Sequence, residues 1–193
     1  MNLSKPTPVT LALIVICVIC YIPELLGVPI FGGDINYWMC VAPDSFTRPW
    51  EFVTAIFAHS SLEHLAMNMV SLYWLGTLIE GVHGKLRFAI IFFVSGIMGN
   101  VAFALLANGS AVGASGAVFG LLGACAYLFY QMRDQPAARG MFQGLLAMLA
   151  LNVINSFLPG IAWEAHFGGL VAGVACEAVI VALGKRKHLA EKR

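Results

Sequence analysis

Four polar side chains interrupt apolar stretches of this sequence, and their types are those of an activated serine nucleophile. They are Ser115, His166, His64 and Asn68. A serine hydroxyl is a weak nucleophile until a base within hydrogen-bond reach accepts its proton, and histidine often supplies that base. The residue types therefore predict acyl-transfer chemistry, with Ser115 as the nucleophile and His166 as the general base.

The same residues are suited to stabilising the oxyanion that forms when a serine attacks a carbonyl group. Ser115 opens an apolar stretch and so lies at a predicted helix N-terminus, where free backbone N–H groups favour an anion. His64 and Asn68 are four residues apart, which places both side-chain donors on one face of a helix. We therefore expect the Ser115 N–H, His64 and Asn68 to form the oxyanion site.

The imidazole of His166 lacks an obvious acidic partner in the sequence. Glu164 is two residues away and is predicted to lie on the opposite face of the helix. Phe119, one turn after Ser115, is expected to pack against the imidazole instead. The pattern predicts a Ser-His dyad rather than a triad with an acidic member.

Glycine pairs follow both candidate catalytic residues at a spacing of four. Gly116 and Gly120 form one stripe, and Gly169 and Gly173 form the other. Such stripes allow two helix backbones to approach closely. A short bond between a serine and a histidine on different helices requires that approach, so the glycines support the pairing.

Composition indicates which elements must position these residues. The chain has 193 residues, of which 60% are hydrophobic and 11% charged, with a net charge of +1. These values exclude a disordered chain and a basic nucleic-acid binder, and they favour a polytopic membrane protein. We expect one all-α domain over 1–193, with short cytoplasmic tails at 1–9 and 184–193 and a long first loop at 27–61. The predicted membrane spans are 10–26, 62–79, 86–107, 115–131, 140–157 and 165–183.

Basic residues predict how these six spans are oriented. All but one of the 11 Lys and Arg residues fall on one side of the predicted membrane, and only Arg48 falls on the other. The positive-inside rule then places both termini in the cytoplasm and the first loop outside. Spans two, four and six begin at the outer face, so the four polar residues share one shallow depth. A bacterial inner membrane is the expected location.

The chain resembles the rhomboid intramembrane serine proteases of the minimal six-helix type. The resemblance rests on the following motifs: Gly113-x-Ser115-Gly116, His59-x4-His64-x3-Asn68, Ala165-His166-x-x-Gly169-x3-Gly173 and Gly96-x-x-Gly99-Asn100. It implies an endopeptidase that cleaves transmembrane segments of other proteins near the extracytoplasmic face, in a lipid bilayer and without a metal or cofactor. It leaves the oligomeric state open.

The resemblance also implies a role for each matching residue. Ser115 would be the nucleophile and His166 the base, with His64, Asn68 and the Ser115 N–H as oxyanion donors. The implied supporting residues are Gly113, Gly116, Phe119, Gly169, Gly173 and His59. His59 either lines the site or structures the loop before it.

Two positions depart from the family pattern. A tryptophan–arginine pair in the first loop of some members is Trp50-Glu51 here, so we expect that loop to be anchored differently. A tyrosine that is frequent one turn after the nucleophile is Phe119 here. Its ring can still support His166, although the hydroxyl is lost.

Four other functions fit the sequence less well. An intramembrane metalloprotease needs H-E-x-x-H or its reverse, and the string from His59 to Glu63 and His64 has one residue too many. A haem-binding bundle needs a roomy pocket between histidines, which glycine stripes argue against. A non-catalytic relative should lack the serine or the histidine, and a transporter should show repeats.

Cys17 and Cys20 lie in an apolar run, where packing is the better interpretation of C-x-x-C.

Ionisable residues near the opposite ends of the spans have structural interpretations. Glu177 is expected to pair with a base or to snorkel towards the cytoplasm. His83 and His188 are expected at the cytoplasmic surface. Glu80 and Gly84 are expected to cap and turn the connection between spans two and three.

Overall fold

The computed structural model describes residues 7–29 and 35–190, and the side chains within 7–29 and 36–184. Within these residues the chain forms α-helices and one short 3-10 helix. The α-helices are α1 (Pro8–Leu26), α2 (Ile35–Met39), α3 (Glu51–Thr54), α4 (Leu62–His83), α5 (Lys85–Leu106), α6 (Ser115–Gln131), α7 (Pro136–Ser156) and α8 (Trp163–Ala190), and the 3-10 helix is Pro43–Thr47. The ends of both predicted tails (1–6 and 191–193) and part of the first loop (30–34) lie outside the described residues.

The six predicted spans correspond to the six long helices, but only five of these pass a test of length and apolar character. Helices α1, α4, α5, α7 and α8 are long and apolar enough to cross a membrane. Helix α6 is apolar and has 17 residues, slightly short of the same criterion. The all-helical fold is therefore confirmed, while the sixth span stays a prediction.

Helices α1 and α7 expose apolar faces along most of their length. On α1 the buried residues form a single stripe, which is Thr10, Leu13, Cys17 and Tyr21. Large apolar side chains elsewhere on α1, such as Ile19 and Leu25, are more than half exposed. Exposing such a continuous apolar surface is unfavourable in water, whereas the same surface is compatible with the hydrocarbon core of a bilayer. Cys17 is a free buried thiol in the packed stripe, as the packing interpretation of C-x-x-C predicts.

The connection between α4 and α5 differs from its prediction in one respect. Gly84 turns the chain with a φ of 78°, in the region that favours glycine. Glu80 caps this connection only through its main chain, because its carbonyl accepts the Gly84 N–H at 2.8 Å, while its side chain binds elsewhere. Its carboxylate accepts hydrogen bonds from the Val9 and Thr10 N–H groups at 3.1 and 2.8 Å and from the Thr10 hydroxyl. It therefore caps the N-terminus of α1, where free N–H groups and the helix dipole favour a carboxylate.

A buried polar pair joins α4 and α8 away from the candidate site. His83 Nε2 lies 2.8 Å from Glu177 Oε1, and both side chains are almost fully buried. The expectation that Glu177 pairs with a base is confirmed. The expectation that His83 lies at the surface is wrong, because its side chain is only 9% exposed and lies against Glu177 of α8. The side chain of His188 lies outside the described residues.

The long first loop is fastened to α5 and to the segment between α5 and α6. Val41 and Ala111 form an isolated antiparallel bridge, with reciprocal hydrogen bonds of 2.9 Å. Asn100 of α5 donates its side-chain N–H to the Phe52 carbonyl at 2.9 Å. The loop therefore supports the segment that leads into α6.

Glu51 occupies the position where the family pattern has arginine, and it stabilises the first loop from within. Its buried carboxylate accepts hydrogen bonds from the Ser45 hydroxyl and from Arg48 Nε. Arg48 also donates two hydrogen bonds of 3.0 Å to Asp44. Hydrogen bonds to Glu51 and Asp44 raise the pKa of the Arg48 guanidinium. The Glu51 carboxylate thus holds the 3-10 helix and Arg48 against the start of α3 within the loop.

Candidate active site

An open cavity of about 860 Å³ lies at the end of the bundle where α4, α6 and α8 begin. Ser115, His64 and His166 all line it, one from the first turn of each helix. The segments before α6 and before α8 supply much of the remaining wall. The structure therefore brings three of the four candidate residues to one solvent-accessible space.

The glycine stripes place α6 and α8 in direct backbone contact. A Cβ atom at Gly169 would lie 2.0 Å from the Gly116 carbonyl oxygen, and one at Gly173 would lie 2.0 Å from the Gly120 oxygen. Real Cβ atoms do not approach backbone so closely, so no other residue fits without parting the helices. This is the close approach that the two stripes predict. It brings the helix start that carries Ser115 next to the first turn that carries His166.

Two contacts hold the imidazole of His166. The Phe119 ring stacks on it, with centroids 4.2 Å apart and planes inclined by 14°, which confirms the predicted packing. Ser156 Oγ lies 2.7 Å from His166 Nδ1. Within the described part of the chain, no hydrogen bond joins Ser115 directly to His166. In free enzymes, catalytic hydrogen bonds are often long and tighten only when substrate binds.

Ser156 is the residue that sequence reasoning missed. It is the last residue of α7 and is buried, and its hydroxyl also donates to the Asn152 carbonyl at 2.8 Å. In the sequence it was only one of several polar residues in the fifth span. Ser156 and His166 are ten residues apart and lie on different helices, so helical periodicity does not predict that they meet. A serine at the end of a predicted span, close in sequence to a candidate base, was the available signal.

His64 faces Ser115 across a glycine. Its backbone N–H donates to the Ser61 hydroxyl at 3.1 Å, a helix N-cap, and its Nδ1 lies 3.2 Å from the Ser60 hydroxyl. A Cβ atom at Gly113 would lie 2.8 Å from His64 Nε2 and 3.8 Å from Ser115 Oγ. Gly113 also has a φ of 131°. The missing side chain therefore leaves space for His64 Nε2 close to the serine hydroxyl.

Asn68 occupies a different place from the other three. It is buried one turn further along α4, and its Nδ2 donates to the His64 carbonyl at 2.9 Å. It does not line the cavity within the part of the chain that the structure describes. One of its two amide hydrogens therefore supports the turn that carries His64.

His59 supports the loop and does not line the described cavity. Its ring is buried, with Nδ1 at 3.3 Å from the Phe57 carbonyl, and its Nε2 accepts the Ala114 N–H at 3.5 Å. It packs edge-on against His64, with centroids 5.1 Å apart. Burial, and then the neighbouring His64, lower the pKa of His59 from 6.5 to about 4. His59 is therefore a neutral strut between the first loop and the start of α6.

Comparison with known proteins indicates the family of this chain. Residues 47–183 match the rhomboid domain family. The chain is 32% identical over 132 residues to Rhomboid protease GluP of Bacillus subtilis (68% of this chain, 26% of GluP). It is 32% identical over 143 residues to the putative rhomboid protease YdcA of the same organism (72% and 71%). It is 28% identical over 180 residues to Rhomboid protease GlpG of Serratia proteamaculans (89% and 62%).

The chain belongs to the rhomboid family, because the family match covers well over half of it. Together with its apolar helices, this makes it an integral, multi-pass membrane protein. The chain spans about a quarter of the length of GluP and nearly two thirds of GlpG.

Proposed function

We propose that this chain is an intramembrane serine endopeptidase that cleaves transmembrane segments of other membrane proteins. The observation that carries the proposal is the shared cavity of Ser115, His64 and His166 at the contact of α6 with α8. The names of the rhomboid protease relatives add support. The site is shallow in the bundle and open, so that water can enter for hydrolysis.

In the proposed mechanism, His166 Nε2 accepts the proton of Ser115 as its oxygen attacks a substrate carbonyl. The His166 imidazolium then protonates the departing amine, which leaves an acyl group on Ser115. Water, activated by the neutral His166, hydrolyses this ester and regenerates the serine. The dyad needs no acidic member, because stacking on Phe119 holds the imidazole plane.

The oxyanion of each tetrahedral intermediate is held by three donors in this proposal. The Ser115 N–H lies at the N-terminus of α6, where the first N–H groups have no partner within the helix. His64 Nε2 approaches from α4 across Gly113. Asn68 contributes its second amide hydrogen, while the first, donated to the His64 carbonyl, orients His64. One such donor typically supplies roughly 2.7–4 kcal/mol of transition-state stabilisation.

The topology of the chain in the bilayer is part of the proposal. Six spans over the single domain 1–193, with both tails in the cytoplasm, place the cavity near the extracytoplasmic face. The basic residues of the sequence support this orientation. The proposed location is a bacterial inner membrane. A substrate helix must unwind locally at this depth, because carbonyls inside an intact helix are shielded by hydrogen bonds.

The test is labelling of the purified protein with a fluorophosphonate probe, together with cleavage of a transmembrane reporter in proteoliposomes. The probe adduct should map to Ser115, and Ser115→Ala and His166→Ala should each abolish cleavage and keep the wild-type thermal unfolding profile. The matched control is Ser110→Ala, which removes a hydroxyl from the same cavity wall and should keep full activity. An adduct on another residue, or cleavage by Ser115→Ala, would refute the assignment.

A further inference from the structure

The hydrogen bond between Ser156 and His166 indicates which imidazole nitrogen carries the hydrogen. The Ser156 hydroxyl lies 2.7 Å from His166 Nδ1 and 2.8 Å from the Asn152 carbonyl oxygen. A hydroxyl has one hydrogen to donate, whereas a carbonyl oxygen can only accept. The hydrogen therefore goes to the Asn152 carbonyl, because the reverse arrangement would set two oxygen lone pairs against each other.

Ser156 Oγ must then accept a hydrogen bond, and the partner that supplies it is Nδ1–H of His166. A neutral imidazole with its hydrogen on Nδ1 has a bare Nε2. We propose that Ser156 is a positioning residue that holds His166 in this tautomer, with the Nε2 lone pair free for the Ser115 proton. The inference rests on the proposed protease function for its consequence, although the tautomer itself can be observed without activity.

Two perpendicular constraints fix the ring once Ser156 is included. Phe119 stacks on one face at 4.2 Å and prevents tilting. The Nδ1–H of an imidazole points along the ring plane, so its bond to Ser156 opposes rotation of the ring within that plane. Each contact therefore restrains a motion of the ring that the other leaves free. A neutral serine thus takes the orienting place that an acidic residue fills in a triad.

The same bond links the base to the most weakly packed of the long helices near the site. The buried residues of α7 are Ala138, Leu145 and Ser156, so Ser156 is the only buried position in its last eleven residues. Moving the end of α7 away from α8 would break this bond and release the imidazole. The position of α7 therefore determines whether His166 is ready to act as a base.

The first test is kinetic and uses the full-length protein in proteoliposomes. Ser156→Ala should lower kcat at least about fivefold, the equivalent of one ordinary hydrogen bond, with little change in KM. Ser156→Thr keeps the hydroxyl and should restore most of kcat. Asn155→Ala removes the neighbouring exposed polar side chain and should leave kcat unchanged.

The second test observes the tautomer directly and does not depend on activity. In protein with ¹⁵N-labelled histidine, the His166 signals, assigned by their loss in His166→Ala, should show Nδ1 protonated and Nε2 bare at neutral pH. Ser156→Ala should mix the two tautomers, and Ser156→Thr should restore one. A purely structural tether would lower stability without altering this spectrum.

The outcomes separate the two proposals. Wild-type protein without cleavage or probe labelling would refute the protease function, while the spectrum would still decide the tautomer. An active wild type in which Ser156→Ala keeps full kcat would overturn the role of Ser156 alone. So would a wild-type spectrum with the hydrogen on Nε2.

Discussion

Replacing Gly169 with alanine tests how tightly the site depends on the contact between α6 and α8. A Cβ atom at this position would lie 2.0 Å from the Gly116 carbonyl oxygen, whereas ordinary contact begins near 3.4 Å. The obstacle is backbone rather than a flexible side chain. The helices must therefore part by about 1.4 Å at this level.

Separating α6 from α8 at this level also separates Ser115 from His166, the two proposed reacting groups. Gly116 follows Ser115 in the chain, and Gly169 is three residues after His166. A misplacement of about 1 Å in a catalytic pair can cost on the order of 100-fold in rate. Overpacking costs about 1–3 kcal/mol of stability, and alanine returns up to about 1 kcal/mol through its helix propensity. The loss of rate should therefore exceed what the loss of stability would explain.

The assay measures cleavage of a transmembrane reporter and thermal unfolding on the same samples. Gly169→Ala should lower kcat about 100-fold and lower the unfolding temperature by only a few degrees. Gly144→Ala is the matched control, because a Cβ atom on this helical glycine of α7 meets nothing within 4 Å. It should keep full activity. Wild-type kcat in Gly169→Ala would refute the link between backbone contact and catalysis.

Three further predictions concern the supports of the site. Because burial lowers the pKa of His59 from 6.5 to about 4, the unfolded chain binds a proton in this window that the folded chain does not. Stability should therefore rise with pH from 4 to 6.5, by at most about 1.4 kcal/mol per pH unit, and His59→Gln should reduce the slope in pH-dependent unfolding. Phe119→Leu should lower kcat roughly three- to tenfold by loss of the stacked ring, while Phe119→Tyr should retain it in the same cleavage assay; equal rates would contradict the stacking role. Glu51→Gln should lower thermal stability by about 1–3 kcal/mol because it weakens the buried bonds to Ser45 and Arg48. Asp44→Asn removes the exposed partner of Arg48 and should lower stability by less than about 1 kcal/mol. An equal loss of stability in both variants would argue against the role of Glu51 in stabilising the loop.

The long apolar helices and the candidate pair of Ser115 and His166 could be predicted from the sequence because they depend on local patterns. A run of apolar residues of bilayer length predicts a helix, whatever it packs against. Ser115 and His166 are conspicuous because polar residues inside such runs are costly. The glycine stripes indicate one face of each helix, and that face is where α6 and α8 meet.

Other features depend on contacts between distant parts of the chain. Glu80 lies near Gly84 in sequence, yet its carboxylate caps α1, 70 residues away. Burial of His83 against Glu177 joins residues 94 positions apart. Helical periodicity places a residue on a face of its own helix, but it does not indicate which distant helix that face will meet.

The sequence by itself determined that apolar helices would carry a serine and two histidines to one end of a membrane protein. Only the tertiary structure decided how those side chains are held. The end of α7 brings Ser156 to His166, and Gly113 leaves space for His64 beside Ser115. The physical reason is that composition and periodicity act along one helix, whereas hydrogen-bond partners and ring orientation depend on rotations and distances between helices.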